Sequence, residues 1–198
     1  MVNDVDVIKR SFIEKIEKRV GEKYSTIFDE KKVILRETIE DVAKSSKNAL
    51  FLGYTGTGKT MSMIYLAWLR YQAFEMERAK NLKEEDDCWL PHYRIHWYHC
   101  VEMCKFIKEY ASNGAVFSPR DEIYIDDFGI FTMAPWEQAD LEYFFEVLYR
   151  NSVRVYLTTN LTEAELKEDK YRRILSRITQ NCKIVNFGQE DLRRKHDY

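Results

Sequence analysis

The chain has 198 residues, 45% hydrophobic and 32% charged, with 7 Gly and 3 Pro, which bounds it to one globular domain and excludes a low-complexity or disordered chain. Its 31 Lys and Arg against 33 Asp and Glu give a net charge of −2. That balance excludes a protein that grips duplex DNA chiefly by counterion release, so any nucleic-acid contact is local, weak or shared between copies.

The opening MVNDVDVIKRSF carries acids where a secretory signal would be basic and then apolar. Residues 4 to 20 place Val5, Ile8, Phe12, Ile13 and Ile16 at helical spacing opposite a charged face, which predicts an amphipathic helix. GEKYSTIFDEK reads as a connector and KVILRETIEDVAKS as a second helix. With no Pro/Gly/Ser-rich linker behind them, residues 1–45 are expected to be a short N-terminal helical extension and 46–198 the core.

From Ala49 the pattern changes. ALFLGY is a short apolar run, as in a buried parallel strand, and it leads into GYTGTGKT at residues 53–60. This loop satisfies G-x-x-x-x-G-K-[ST] with Gly53, Gly58, Lys59 and Thr60. Gly56 and Gly58 let backbone N–H groups converge with no Cβ in the way. The helix starting near Lys59 aims the positive end of its dipole at the same place. The expected anion is a nucleoside triphosphate, bound by Gly53, Thr55, Gly56, Thr57, Gly58, Lys59, Thr60 and Met61. Lys59 is suited to the β- and γ-phosphates, and the Thr60 hydroxyl to Mg²⁺. A plain strand-to-helix glycine turn is the alternative; the full motif, the preceding strand and the following helix together stand against it.

The helix is expected to run to about Lys80, and KNLKEEDDCWLP, broken by Pro91, is a loop. YRIHWYH alternates as a strand, and VEMCKFIKEYA follows as a helix. Residues 88 to 104 gather Cys88, His92, His96, His99, Cys100 and Cys104, a density that suggests zinc. The alternation instead puts His96 and Tyr98 on one strand face, with Ile95, Trp97 and His99 on the other. Zinc sites generally use two short ligand pairs separated by a turn, and that pattern is missing. The four cysteines, Cys182 included, form no CxxC pair and are expected as free thiols in a reducing compartment.

EIYIDD gives a third strand that ends at Asp126 and Asp127. A carboxylate ending a neighbouring strand completes a Mg²⁺ shell, and Asp126 is the residue expected there. Asp127 is the candidate for orienting or deprotonating an attacking water; two exposed strand-end carboxylates are the plainer alternative. The tripeptide Asp127, Phe128, Gly129 also occurs in protein kinases. The glycine loop is G-x-x-G-x-G rather than G-x-G-x-x-G, however, and no H-R-D catalytic loop is present. WEQADLEYFFEVLYR is a further helix and VRVYLTTN a fourth strand, whose tip offers the Asn160 amide to the same water or the γ-phosphate. Thr162 with Glu165 forms a capping box that opens another helix. YRRILSRI follows with Arg172, Arg173 and Arg177, the last on the face of Arg173. KIVNF is the fifth strand. Strand and helix alternating over about 150 residues predict a parallel α/β sheet with helices on both faces. Of Trp68, Trp89, Trp97 and Trp136, those at the surface could stack bases of single-stranded DNA, and those inside are core. No apolar run approaches the ~20 residues that span a bilayer.

GYTGTGKT, IDDFG, LTTNLT and RILSRI, in that order, resemble the AAA+ ATPases of the bacterial replicative-helicase loader family (DnaC/DnaI type) and the related IstB-type transposition helpers, over about residues 46–193. The resemblance implies an α/β P-loop NTPase of AAA+ type, a three-layer sandwich on a five-stranded parallel sheet. It also implies an ATP- and Mg²⁺-dependent switch, with Asp127, Asn160 and Arg177 catalytic and Thr60 and Asp126 at the metal. RILSRI nominates Arg177 as the arginine that one copy presents to the next copy's γ-phosphate, a device worth about 10³ to 10⁵ in rate. The implied partners are a replicative helicase, single-stranded DNA and a second copy docked through the ATP site; the implied location is cytoplasmic. Where many relatives have Glu, Asp127 is one methylene shorter, so hydrolysis is expected to be slow. The closing GQEDLRRK resembles a family G-x-S-x-R phrase that would give Arg193 a sensor-like role, although Gln189, Glu190 and Asp191 depart from it. Loaders usually carry a larger N-terminal domain than residues 1–45, and no C-terminal lid domain is expected after the fifth strand. The alternatives are a transposition helper, a small P-loop nucleotide kinase, and a non-hydrolysing binder that occludes a helicase. A kinase would carry an arginine-rich lid and a D-R-[YH] strand end, and neither is evident.

Overall fold

The computed structural model describes residues 4–21, 28–84, 93–100, 102–103, 105–107, 117–129 and 135–192. Its strands are β1 (Asn48–Leu52), β2 (Arg94–His99), β3 (Asp121–Phe128), β4 (Arg154–Thr159) and β5 (Cys182–Asn186). They form one all-parallel sheet in the order β2-β3-β4-β1-β5. The helices are α1 (Asp4–Val20), α2 (Arg36–Lys44), α3 (Lys59–Glu84), α4 (Pro135–Arg150), α5 (Glu163–Leu166) and α6 (Asp169–Thr179).

The period-2 alternation of the strands divides the core into two. Ala49, Phe51, Trp97, Tyr124, Tyr156 and Val185 pack with α1, α2 and α3 on one face. Leu50, Leu52, Tyr98, Ile123, Ile125, Val155 and Leu157 pack with α4 and α6 on the other. Both faces are therefore covered, which is why the strands read as nearly continuous apolar runs.

The first helix docks as its spacing predicts, but over a shorter stretch. Phe12, Ile16 and Val20 are buried while Val5 is exposed. The Phe12 ring lies 5.5 Å from Trp68 and 5.7 Å from Tyr71 of α3, centroid to centroid. The second expected helix is present but starts four residues late. Glu30–Lys32 is a single 3₁₀ turn, and α2 starts only after Leu35, which sits in the left-handed region at φ 51°. The Thr162–Glu165 capping box is formed, yet the helix it opens has four residues before a second start at Asp169.

One irregularity shapes the site. Ile125 pairs with Leu157 and Phe128 with Thr159, so β3 carries one residue more than β4 between those two points. This is a β-bulge, and Asp127 within it takes a left-handed backbone at φ 58°. At the other end of β3, Glu122 is fully buried. It pairs with Arg70 and Arg154 and accepts hydrogen bonds from Tyr93 and Tyr124.

Candidate nucleotide and metal site

The glycine loop joins the end of β1 to the start of α3. Gly56 and Gly58 have φ of 84° and 87°, a conformation L side chains rarely adopt. A Cβ on Gly56 would also come within 2.0 Å of Asp191 Oδ1, so a larger residue there would displace the Asp191 carboxylate as well as strain the backbone. The segment after β5 lies across this loop. Tyr54 N donates to Gly188 O at 3.1 Å, and Leu192 N to Gly56 O at 3.1 Å. Ile34 and Leu192 come within van der Waals contact of the place a Gly58 Cβ would take, and Met61 is partly buried in the same apolar cluster as Ile34.

Lys59 is 5% exposed, and its Nζ donates to Gly53 O at 2.8 Å, Tyr54 O at 2.8 Å and Asn160 Oδ1 at 2.7 Å. The ammonium thus joins the mouth of the loop to the tip of β4. Thr57 is buried and its hydroxyl donates to Tyr54 O, while Thr55 is exposed on the rim.

One residue on, the Thr60 hydroxyl donates to Asp126 at 3.0 Å (Oδ1) and 3.1 Å (Oδ2). Thr158 Oγ1 donates to Asp126 Oδ1 at 2.5 Å and accepts from Asp127 N at 2.9 Å, so the first threonine of TTN holds both aspartates. The second, Thr159, donates to Phe128 O at 2.7 Å and fixes the bulge. Asp126 is 1% exposed. Burial pushes its carboxyl above the ordinary range, against the lowering effect of the Thr158 hydrogen bond; the neighbouring Asp127 charge raises it further.

A hydroxyl and a carboxylate converging beside a cradle of glycines form a hard oxygen donor set at an anion site, which fits Mg²⁺ with a polyphosphate. His99, at the end of β2, completes the group: its Nδ1 is 3.9 Å from Asp126 Oδ2. Sequence reasoning placed His99 only in the cysteine–histidine stretch. The signal it passed over was position, since His99 ends a strand directly beside one ending in two aspartates.

The fold as a whole is similar to solved structures. Over 76% of this chain and 86% of its own length, the crystal structure of the DnaC helicase loader superposes with a TM-score of 0.58 at 16% identity. The chain shares that fold, a three-layer α/β sandwich on a five-stranded parallel sheet. DnaI gives 0.50 at 15% identity over 81% of this chain and 88% of its own. A DNA replication initiation factor gives 0.53 at 16% identity over 81% of this chain and 49% of its own, so the chain spans about half that structure. No protein-family model matches the chain. No curated protein matches it either.

Within this fold, Asp126, Asp127, Asn160 and the glycine-loop residues gather at the carboxyl ends of the strands, where open α/β sheets bind ligands. Arg177 does not join them. It lies on α6, 44% exposed, with Nε 2.6 Å from Glu146 Oε2. There it lines a cavity of about 350 Å³ with Asn48, Arg154, Gln180 and Asn181. Asn48 and Arg154 begin β1 and β4, so this cavity is at the end of the sheet opposite the glycine loop.

The described members of the cysteine–histidine stretch do not converge on one another. His96 is turned towards Asp121 and Phe117, His99 towards Asp126, and Cys100 is buried. Cys88, His92 and Cys104 lie outside the described residues, as do Trp89 and Arg193. Trp68 and Trp97 are core, whereas Trp136 is 66% exposed. Among the described residues no helix is long and apolar enough to cross a membrane.

Proposed function

We propose that this protein is an ATP-dependent switch of the helicase-loader kind, cytoplasmic, which binds and hydrolyses ATP to recruit or remodel a replicative helicase on single-stranded DNA. The observation that carries the reading is the meeting of Lys59, Thr60, Asp126 and Asn160 at one end of the sheet. The backbone N–H groups from Gly56 to Thr60 cradle the phosphates, Lys59 neutralises their charge, and Asn160 holds the lysine ammonium in register. Ile34 and Met61 offer the base an apolar seat beside Gly58. Thr60 and Asp126 are the residues that would hold Mg²⁺, which supplies charge neutralisation at the transferring phosphoryl oxygens when bound. Asp127 orients the attacking water or takes its proton.

Arg177 acts on the next copy. Its place at the far end of the sheet suits a head-to-tail stack in which one subunit's cavity face meets the next subunit's glycine loop. Residues 1–45 form an extension to the ATPase core at 46–198 and engage the partner protein.

Calorimetry of the full chain with Mg²⁺ and ATP tests the reading. Binding is expected in the wild type and in Arg177→Ala, and is expected to be lost in Lys59→Ala. Absence of uptake by the wild type at every concentration would end the proposal. Hydrolysis stimulated by single-stranded DNA and a helicase is expected; stimulation by duplex DNA alone would turn the reading towards a transposition helper.

A further inference from the structure

Consecutive residues of a regular strand face opposite ways, so two adjacent aspartates do not ordinarily serve one ligand. The bulge in β3 removes that restriction: with Asp127 left-handed, both carboxylates come to the same end of the sheet. In the β2–β3 register, His99 is the partner of Asp126. One ligand atom from each of His99, Asp126 and Asp127 lies within 4.8 Å of the other two.

We propose that His99 supplies an imidazole nitrogen to the metal shell at Asp126, with Asp127 close enough to act on water held there, and that the site therefore prefers a first-row transition cation, Mn²⁺ before Mg²⁺. The proposal rests on the nucleotide-and-metal reading of the same site. An ion with ligands at about 2.0–2.2 Å separates adjacent ligand atoms by about 3 Å and opposite ones by about 4.2 Å. The 3.9 Å between His99 Nδ1 and Asp126 Oδ2 falls inside that interval and is too long for a hydrogen bond.

The two oxygens of Asp126 are also used unequally. Oδ1 accepts from both Thr158 and Thr60, whereas Oδ2, on the His99 side, accepts from Thr60 among the described residues. The orientation therefore leaves Oδ2 available to an ion shared with the imidazole. His99 is 36% exposed, so packing does not dictate its presence there. Mg²⁺ favours oxygen ligands and an imidazole nitrogen favours the transition ions, so one histidine among oxygens shifts the preference.

The test is electron spin-echo spectroscopy of Mn²⁺ with ATP on the full chain carrying ¹⁵N-labelled histidine. The wild type is expected to show both phosphorus and ¹⁵N-histidine coupling. In His99→Ala and His99→Gln the histidine coupling is expected to vanish, with about a tenfold loss of Mn²⁺ affinity and little change for Mg²⁺. Phosphorus coupling with no histidine coupling in the wild type overturns the proposal and leaves the nucleotide reading standing, as does histidine coupling that survives both variants. Manganese that shows no phosphorus coupling overturns the nucleotide reading instead.

Discussion

Asp126 is held where water hardly reaches it, and its carboxyl is pushed up by that burial. A group whose folded value lies above its ordinary one withdraws stability as pH rises from the ordinary carboxylate value, about 4, through the raised value. At neutral pH the folded chain carries the whole cost unless a cation offsets it. Asp126→Asn is therefore expected to raise the melting temperature of the metal-free protein at pH 7, and to flatten its pH dependence on the acid side. The same variant should lose the stabilisation that divalent metal gives the wild type. Thermal unfolding across pH, with and without metal, checks both; a variant less stable than wild type without metal would contradict the assignment. Lys59, Thr60, Asp126 and Asn160 were legible in the sequence because their chemistry is bound to local spacing. The left-handed Asp127 was not, because a bulge depends on how β3 registers against β4, and no local pattern in IYIDDF encodes that.

At the scale of elements, period-2 and helical spacing were enough to find the strands and assign their faces. They failed where a single backbone angle decides the outcome, as at Leu35, whose left-handed backbone sets the start of α2 at Arg36 although the spacing reads as helix from Lys32. Buried charge was also out of reach: Glu122 reads as the polar start of a strand, and only the fold brings Arg70 and Arg154 to it. Helix α1 is the element whose worth is most easily measured. Its Phe12 is 1% exposed, against Trp68 and Tyr71. Phe12→Ala is expected to cost about 3–5 kcal/mol, read from the urea midpoint at unchanged slope. A loss below about 1 kcal/mol would mean that α1 stands apart from the core's cooperative unfolding.

For the whole molecule, the decisive fact is that Arg177 and the glycine loop occupy opposite ends of one sheet. A single copy cannot bring them together, so under the proposed role of Arg177 complete sites would form only between copies, and such a head-to-tail interface would close into a ring or run on as a filament. Lys59→Ala and Arg177→Ala are each expected to be inactive alone. Mixed, they should recover part of the hydrolysis, because an Arg177→Ala subunit still holds ATP and its Lys59→Ala neighbour still offers the arginine. A mixture as inactive as its components would show that the arginine does not act between subunits. The proposed role of Arg177 rests on the order of motifs and the family resemblance, since residue spacing alone does not say which end of a sheet a helix will reach.

The strap of backbone from Gly188 to Leu192 has its own implication for timing. Two main-chain hydrogen bonds fasten it to the loop, and it sets the Asp191 carboxylate against Gly56, on the doorstep of an incoming triphosphate. Like charges there oppose one another, so loading the nucleotide should unfasten the strap. Amide exchange at Leu192 is then expected to quicken on ATP addition, and Asp191→Asn to slow the escape of spent nucleotide. The tail would thereby serve as the clock of the cycle, set by how quickly it settles back rather than by the chemistry beneath it.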